Sequence, residues 1–335
     1  MTVLKSIPAL LAALLVFAFA GAASAQQPAS VNPTASSVNE KKLLEALKPA
    51  EFGGTSAIEG RGSIPDKKSY RLQQPAGREW ESFRSSTLSI AGATSTLGVL
   101  AALLAFYLLR GKVKITSGRS GKLLERFGST ERFAHWLTAS SFIVLALSGL
   151  NITFGRSLLL PVIGPEAFSG ITQLGKFAHN YVSFAFALGI VLMFVMWVKD
   201  NLPALSDIRW ILQGGGFVGL GHPPADRFNA GQKMIFWSVF WGGVALSASG
   251  YMLMFPFVFA DIGGQQAASV VHAMAGVVMV GIILAHIYIG TVGMEGAFEA
   301  MGTGKVDLNW AREHHSIWAK KALEKSGAKA PEPAE

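Results

Sequence analysis

The sequence predicts an all-α integral membrane protein: a four-helix transmembrane bundle with one additional N-terminal transmembrane helix. Three observations lead there. Half of the 335 residues are hydrophobic and only 15% are charged, a balance that suits lipid better than a soluble domain of this size. Five apolar spans, 87–109, 134–154, 177–198, 234–259 and 269–292, each come close to the ~20 residues a bilayer requires. The second, third and fifth spans contain histidines, and a polar ring in hydrocarbon is costly and usually functional.

The elements follow in chain order. Residues 1–25 read as a signal peptide, with Lys5 at its start, a short apolar core and an Ala23-Ser24-Ala25 cleavage site. Residues 26–86 are rich in Gln, Pro, Ser, Glu and Lys and read as an exported, poorly ordered segment with one short helix near 41–47. Residues 87–110 form the extra transmembrane helix and 111–133 a cytoplasmic basic linker. The four-helix domain occupies 134–292, and 293–335 is a cytoplasmic tail. No internal repeat and no nucleotide-binding glycine loop are evident.

Charge sets the orientation. Residues 110–133 carry Arg110, Lys112, Lys114, Arg119, Lys122, Arg126 and Arg132, and the 199–233 loop carries Lys199, Arg209, Arg227 and Lys233. The tail adds Lys305, Arg312, Lys320, Lys321, Lys325 and Lys329, whereas the intervening loops have few basic residues or none. The positive-inside rule places the basic segments in the cytoplasm. An exported residue 26 followed by five crossings also leaves the C-terminus inside, so both arguments agree. The net charge of +8 is thereby explained by topology rather than by nucleic acid.

Topology assigns each histidine a depth. His135 opens the second span near the inner face, and His179 opens the third near the outer face. The fifth span runs inward, so His272 lies near the outside and His286 near the inside. The pairs are therefore His179 with His272 and His135 with His286. Fourteen residues of helix rise ~21 Å and fall only about 40° short of whole turns, so His272 and His286 share one face. Gly276 and Gly290 each follow a histidine by four residues, and Gly149, Gly189 and Gly250 give neighbouring helices clearance.

Paired imidazoles from two helices suit the iron of haem b with both axial positions filled. The chain has no cysteine and no acidic residue within these spans, so zinc or non-haem iron would lack thiolate or carboxylate partners. Met252, Met274 and Met279 are expected to pack rather than ligate. An interhelical hydrogen bond is the alternative for any one of the four histidines. His222, His314 and His315 fall in basic inner segments and read as solvated surface residues. Lys112, Arg126, Asp226 and His222 are weaker candidates for proton delivery.

The stretches ERFAHW, KFAHNY, FNAGQKMIFW, VVHAMAG, LAHIYIG and KVDLNWAREHH, in this order, resemble the cytochrome b (gamma) subunit of membrane-bound respiratory formate dehydrogenases. That subunit is related to the cytochrome b of nickel–iron hydrogenases, and FNAGQKMIFW favours the formate branch. The resemblance runs from about residue 128 to 315 and leaves the first 127 residues unaccounted for. It implies two b haems with axial ligands His179/His272 (outer) and His135/His286 (inner). It also implies a quinone pocket bordered by Asn229 and His286, with Gly231 and Gln232 as neighbours; Asn229 fits a helix N-cap equally well. The implied partners are a molybdenum or tungsten catalytic subunit, which oxidises formate outside the membrane, and an iron–sulfur subunit. Electrons would pass through the outer and inner haems to quinone near the cytoplasmic face of a bacterial inner membrane. Menaquinone or ubiquinone, and a higher oligomer of the complex, are both open. The competing readings are a hydrogenase or other respiratory cytochrome b, a haem-free membrane anchor and, least favoured, a transporter.

Overall fold

Within residues 75–216 and 221–325, which the computed structural model describes, five long helices carry the architecture. The expected signal peptide, the short helix near 41–47 and most of the exported segment lie outside the described residues. The described residues within 82–253 and 257–325 form one compact unit, which contains every site discussed below. In the other unit the described residues are 75–81, most of a short helix α1 (Pro75–Ser82), and 254–256.

A π-helical segment, Phe83–Leu88, leads into α2 (Ser89–Arg110). This helix lies against α7 (Ile262–Tyr288). Two glycines make the approach possible: a Cβ on Gly92 would sit 3.2 Å from Val277, and one on Gly281 would sit 3.3 Å from Val99. Toward its C-terminus, Phe106 and Tyr107 set their rings edge-on to Tyr288 at 6.2 and 6.3 Å.

The helix α3 (Ser129–Leu158) begins where the Glu131 carboxylate accepts the Gly128 N–H at 2.9 Å, satisfying one of the donors a helix start leaves free. It continues almost directly into α4 (Leu160–Trp197), which bends at Gly164. There φ is +80°, a value open to glycine, and Pro165 follows as a fresh helix start rather than as a break. The connection expected between the 134–154 and 177–198 spans is thus largely helical, because both helices run well past bilayer length. The short helix α5 (Leu205–Leu212) comes next. Its Asp207 accepts the Ala204 N–H at 2.7 Å and pairs with Lys233 at 2.9 Å.

The helix α6 (Ala230–Met254) packs on both neighbours through adjacent glycines. A Cβ on Gly242 would collide with Met279 of α7, and one on Gly243 would lie 2.9 Å from Ile190 of α4. Met279 is 2% exposed, which fits the packing role expected of it. Among the described residues, four helices are long and apolar enough to cross a membrane: Glu79–Arg110, Ser129–Leu158, Leu160–Trp197 and Ile262–Gly293. At 25 residues α6 is long enough, but Ser238, Ser247, Ser249 and its glycines dilute its apolarity. It accordingly falls outside that group of four.

Beyond α7 the chain does not trail away. A short helix α8 (Glu299–Gly302) precedes β2 (Lys305–Asp307), which pairs antiparallel with β1 (Leu123–Glu125), Leu123 opposite Asp307. Helices α9 (Leu308–His314) and α10 (Ser316–Lys325) follow. Three carboxylates stitch this segment to 115–121. Glu295 accepts the Ile115 N–H at 3.2 Å, and Asp307 accepts those of Ser120 and Gly121 at 3.2 and 2.9 Å. Glu313 accepts those of Thr116 and Ser117 at 2.9 and 2.8 Å. The expected linker and tail together make a folded cap on the basic end of the bundle.

Candidate functional site

Both histidine pairs expected from depth come together. The rings of His179 on α4 and His272 on α7 have centroids 6.0 Å apart, and those of His135 on α3 and His286 on α7 are 6.3 Å apart. No hydrogen bond joins the two rings of either pair among the described residues. A metal between two imidazoles stands about 2 Å from each nitrogen, and each nitrogen a little over 1 Å from its ring centre, which gives centroids roughly 6 Å apart. The observed separations fit an iron held in that way. All four rings are half-buried, as ligands along the open side of a large planar group would be.

The outer pair is held from behind. His179 Nδ1 lies 2.9 Å from Ser148 Oγ, and His272 Nδ1 lies 3.1 Å from both Ser249 Oγ and the Leu246 carbonyl. The interhelical hydrogen bond considered as an alternative role is therefore present, but it engages Nδ1 and leaves Nε2 for the metal. Gly250 has a use beyond clearance between helices. A Cβ on Gly250 would press on His272 at 3.1 Å, whereas one on Gly149 would meet His179 at an ordinary contact distance of 3.5 Å. Gly189 serves α3–α4 packing instead, facing Thr138, while Gly290 opens onto free space.

The turn around His135 is tied into the cap. Arg132 donates to the Gly302 carbonyl at 2.7 Å and Trp136 Nε1 to that of Met301 at 2.9 Å. Glu131 collects Trp197 Nε1 at 2.7 Å and Arg227 at 2.7 and 2.9 Å. One carboxylate thus ties α3 and α4 to the chain entering α6. The ERFAHW stretch spends nearly every polar group on fixing this corner. His135 Nδ1 itself is buried and has no hydrogen-bond partner among the described residues.

Asn229, Gly231 and Gln232 cluster at the first turn of α6. Asn229 Oδ1 accepts the Gln232 N–H at 2.9 Å, and Gln232 Oε1 accepts the Asn229 N–H at 3.1 Å, a reciprocal capping box. The N-cap role foreseen for Asn229 is real, and both carboxamide NH₂ groups remain as donors. A Cβ on Gly231 would lie 2.8 Å from the Trp210 ring, so α5 lays an aromatic ring over this turn. No hydrogen bond joins the turn to His286 among the described residues. Trp210, separated from Gly231 by a glycine-rich stretch of sequence, carries no motif that marks it as part of this turn.

The cap corrects one expectation outright. His314 and His315 are not solvated. His315 is 1% exposed, with Nδ1 2.7 Å from the Asp226 carbonyl. The His314 ring packs against Trp310 at 5.3 Å and His222 at 5.8 Å. Burial lowers the pKa of His314 to about 4, and that of His315 falls well below the usual range for the same reason. Arg126 is 3% exposed and stacks on Trp310 and Trp318, each 5.2 Å away. Its Nη2 donates to the Arg227 carbonyl at 2.6 Å, with Gln232 Oε1 3.5 Å away. Desolvation first, and the neighbouring Arg227 second, bring its pKa down to about 9. Of the surface residues expected, His222 alone keeps an exposed edge, beside Thr116 and Glu313.

The sequence model for "Prokaryotic cytochrome b561" matches residues 126–304. The chain belongs to the prokaryotic cytochrome b561 family. Similar proteins include the nitrate-inducible formate dehydrogenase cytochrome b556(Fdn) subunit of Escherichia coli K12, 32% identical over 214 residues, 62% of this chain and 95% of that protein. The formate dehydrogenase cytochrome b556(fdo) subunit of the same organism is 31% identical over 211 residues, covering 61% and 96%. The formate dehydrogenase cytochrome b556 subunit of Haemophilus influenzae is 24% identical over 203 residues, covering 58% and 81%. As a member of this all-helical family the chain is an integral membrane cytochrome of b type, and haem b is the cofactor the family implies. The paired imidazoles fit that group, and among the described residues no cluster of His, Cys, Asp and Glu suits a bare metal ion. The family match begins at Arg126, after α2.

Proposed function

We propose that this cytochrome is the quinone-reducing subunit of a formate dehydrogenase. It would hold two b haems and pass electrons from an external iron–sulfur subunit to membrane quinone, while formate is oxidised on a separate molybdenum or tungsten subunit. The observation that carries the reading is the meeting of four histidines as two pairs, fourteen residues apart along one helix, each with the spacing of a two-imidazole iron site. The relatives, all formate dehydrogenase subunits, supply the donor.

Each part of the chain then has a task. His179 and His272 hold the outer iron, and His135 and His286 the inner one. When bound, the haems supply reversible one-electron chemistry. The apolar bundle between the pairs excludes water and ions, so charge moved along it is not short-circuited by solvent. At the basic end, which the positive-inside rule puts in the cytoplasm, the free amide donors of Asn229 and Gln232 suit the carbonyl oxygens of a quinone. Gly231 admits the Trp210 ring against this turn, an aromatic face beside which the quinone ring would lie. Proton uptake from the same side would make the overall transfer charge the membrane.

Purification of the complex through a tag on this chain tests the reading. The expected result is a pterin-dependent catalytic subunit and an iron–sulfur subunit in the eluate, with formate reducing an added quinone. A nickel–iron partner, with dihydrogen and not formate driving quinone reduction, would overturn the choice of donor.

A further inference from the structure

The two outer histidines are held by the same short sequence used twice. Leu145-Ala146-Leu147-Ser148-Gly149 on α3 and Leu246-Ser247-Ala248-Ser249-Gly250 on α6 share the pattern L-x-x-S-G. In each, the serine hydroxyl meets the Nδ1 of the next long helix's histidine, His179 or His272. On α6 the leucine three residues earlier also offers its carbonyl to the ring, Leu246 to His272 at 3.1 Å, and Gly250 gives that ring space. The pairs α3–α4 and α6–α7 are thus a short internal repeat at this depth, a correction to the expectation of none. The repeat fails at the other depth. Thirteen residues before Ser148 stands His135, but thirteen before Ser249 stands Phe236. Fourteen after His272 stands His286, but fourteen after His179 stands Met193.

Hydrogen-bond accounting fixes the ring protonation. Ser148 Oγ already donates its one proton to the Val144 carbonyl at 2.6 Å, and Ser249 Oγ to the Ala245 carbonyl at 2.6 Å. Each oxygen can then only accept from the histidine. A carbonyl can only accept as well. Nδ1 must therefore carry the proton in both rings, and Nε2 is left with its lone pair. An acceptor on the far N–H of a ligating imidazole raises its basicity and favours the more oxidised metal. At the inner pair the corresponding support is missing: His135 Nδ1 is buried without a partner among the described residues.

We propose that Ser148 and Ser249 are positioning residues that lock the tautomer of His179 and His272 and make the outer haem the lower-potential one, so that electron transfer from outer to inner site runs downhill. The proposal rests on the reading that the four histidines hold two haems, and the experiment separates the two.

The test is a spectroscopic redox titration of the purified, haem-loaded protein, with a haem count on each sample. The variants are S148A, S249A and their combination, with S148T and S249T as conservative rescues. S140A is the control, because the Ser140 hydroxyl bonds only carbonyls of its own helix. The expected result is a rise in the lower midpoint potential in S148A and in S249A, larger in the combination. That potential returns toward wild type in the threonine variants, and the higher one is unmoved. Loss of one haem from S148A with retention in S148T also supports the role of the hydroxyl. Two retained haems with an unmoved lower potential would overturn the proposal, and so would an equal shift in S140A. A wild-type protein with fewer than two haems would overturn the underlying reading instead.

Discussion

The bundle and the cap are held together by opposite means. In the bundle, close contacts are apolar and glycine-mediated, as where Gly242 and Gly243 admit Met279 and Ile190. Among the polar groups there, the four histidines and the serines behind His179 and His272 converge on sites. In the cap, the interior itself is polar: Arg126, Asp307, Glu313 and His315 are all at least nine-tenths buried. The contrast follows from solvent. A helix in lipid satisfies its own backbone, so its side chains are free for packing and ligation. The cap is built of short elements and loops whose amide groups need partners, and Glu295, Asp307 and Glu313 provide them.

The largest effect that would sharpen this contrast is expected at Arg126. Replacement by Ala removes the bond to the Arg227 carbonyl and leaves a hole between Phe127, Trp310 and Trp318. The cost expected for the cap is about 2–4 kcal/mol. Arg126→Met fills most of that hole without a buried charge and should cost less than half as much. Hydrogen exchange of residues 305–323 in lipid nanodiscs reads both variants, with exchange in the α7 core unchanged.

Acid should act on the cap next. The folded pKa of His314 is lowered to about 4 from 6.5, so the unfolded state takes up the proton first. Stability is then full above pH 6.5 and falls as pH drops toward 4, by up to about 3 kcal/mol from this one residue. Glu295 responds at still lower pH. Backbone and Arg119 hydrogen bonds hold its carboxylate below the usual range, and its contribution is lost as pH falls through that lowered value. Asp307 and Glu313 behave alike: burial alone would raise them, but several backbone N–H groups together pull them down. Corrected for the intrinsic amide exchange rate at each pH, protection of the cap should be lower at pH 5 than at pH 7, and His314→Asn should flatten the difference.

The smallest effect is expected in the bundle. Gly242→Ala forces the Met279 side chain aside, a strain of about 1–2 kcal/mol. The lower thermal unfolding temperature should come with unchanged cap exchange. A cap that opened equally would show that the two regions do not fold on separate accounts.

The same contrast explains what could be read from the sequence. The histidine pairs were legible because depth in a membrane is set by topology, and topology by charge and helix length alone. The serines were visible in the L-x-x-S-G repeat, but their use depends on helices α3 and α4, and α6 and α7, lying side by side. The cap was hidden because its bonds join residues such as Ser117 and Glu313, 196 positions apart. Surrounded by lysines and arginines, His314 and His315 carry every sign of a solvated tail. Only the aromatic residues Trp310 and Trp318 hinted at an interior.

The central claim is that four histidines make two haem sites, and a haem count tests it most directly. The account predicts two b haems per purified wild-type chain and one in either His179→Ala or His135→Ala. The single replacements should leave different survivors, distinguishable by their reduced-minus-oxidised spectra and potentials. One haem in the wild type, or two retained in either variant, would contradict it.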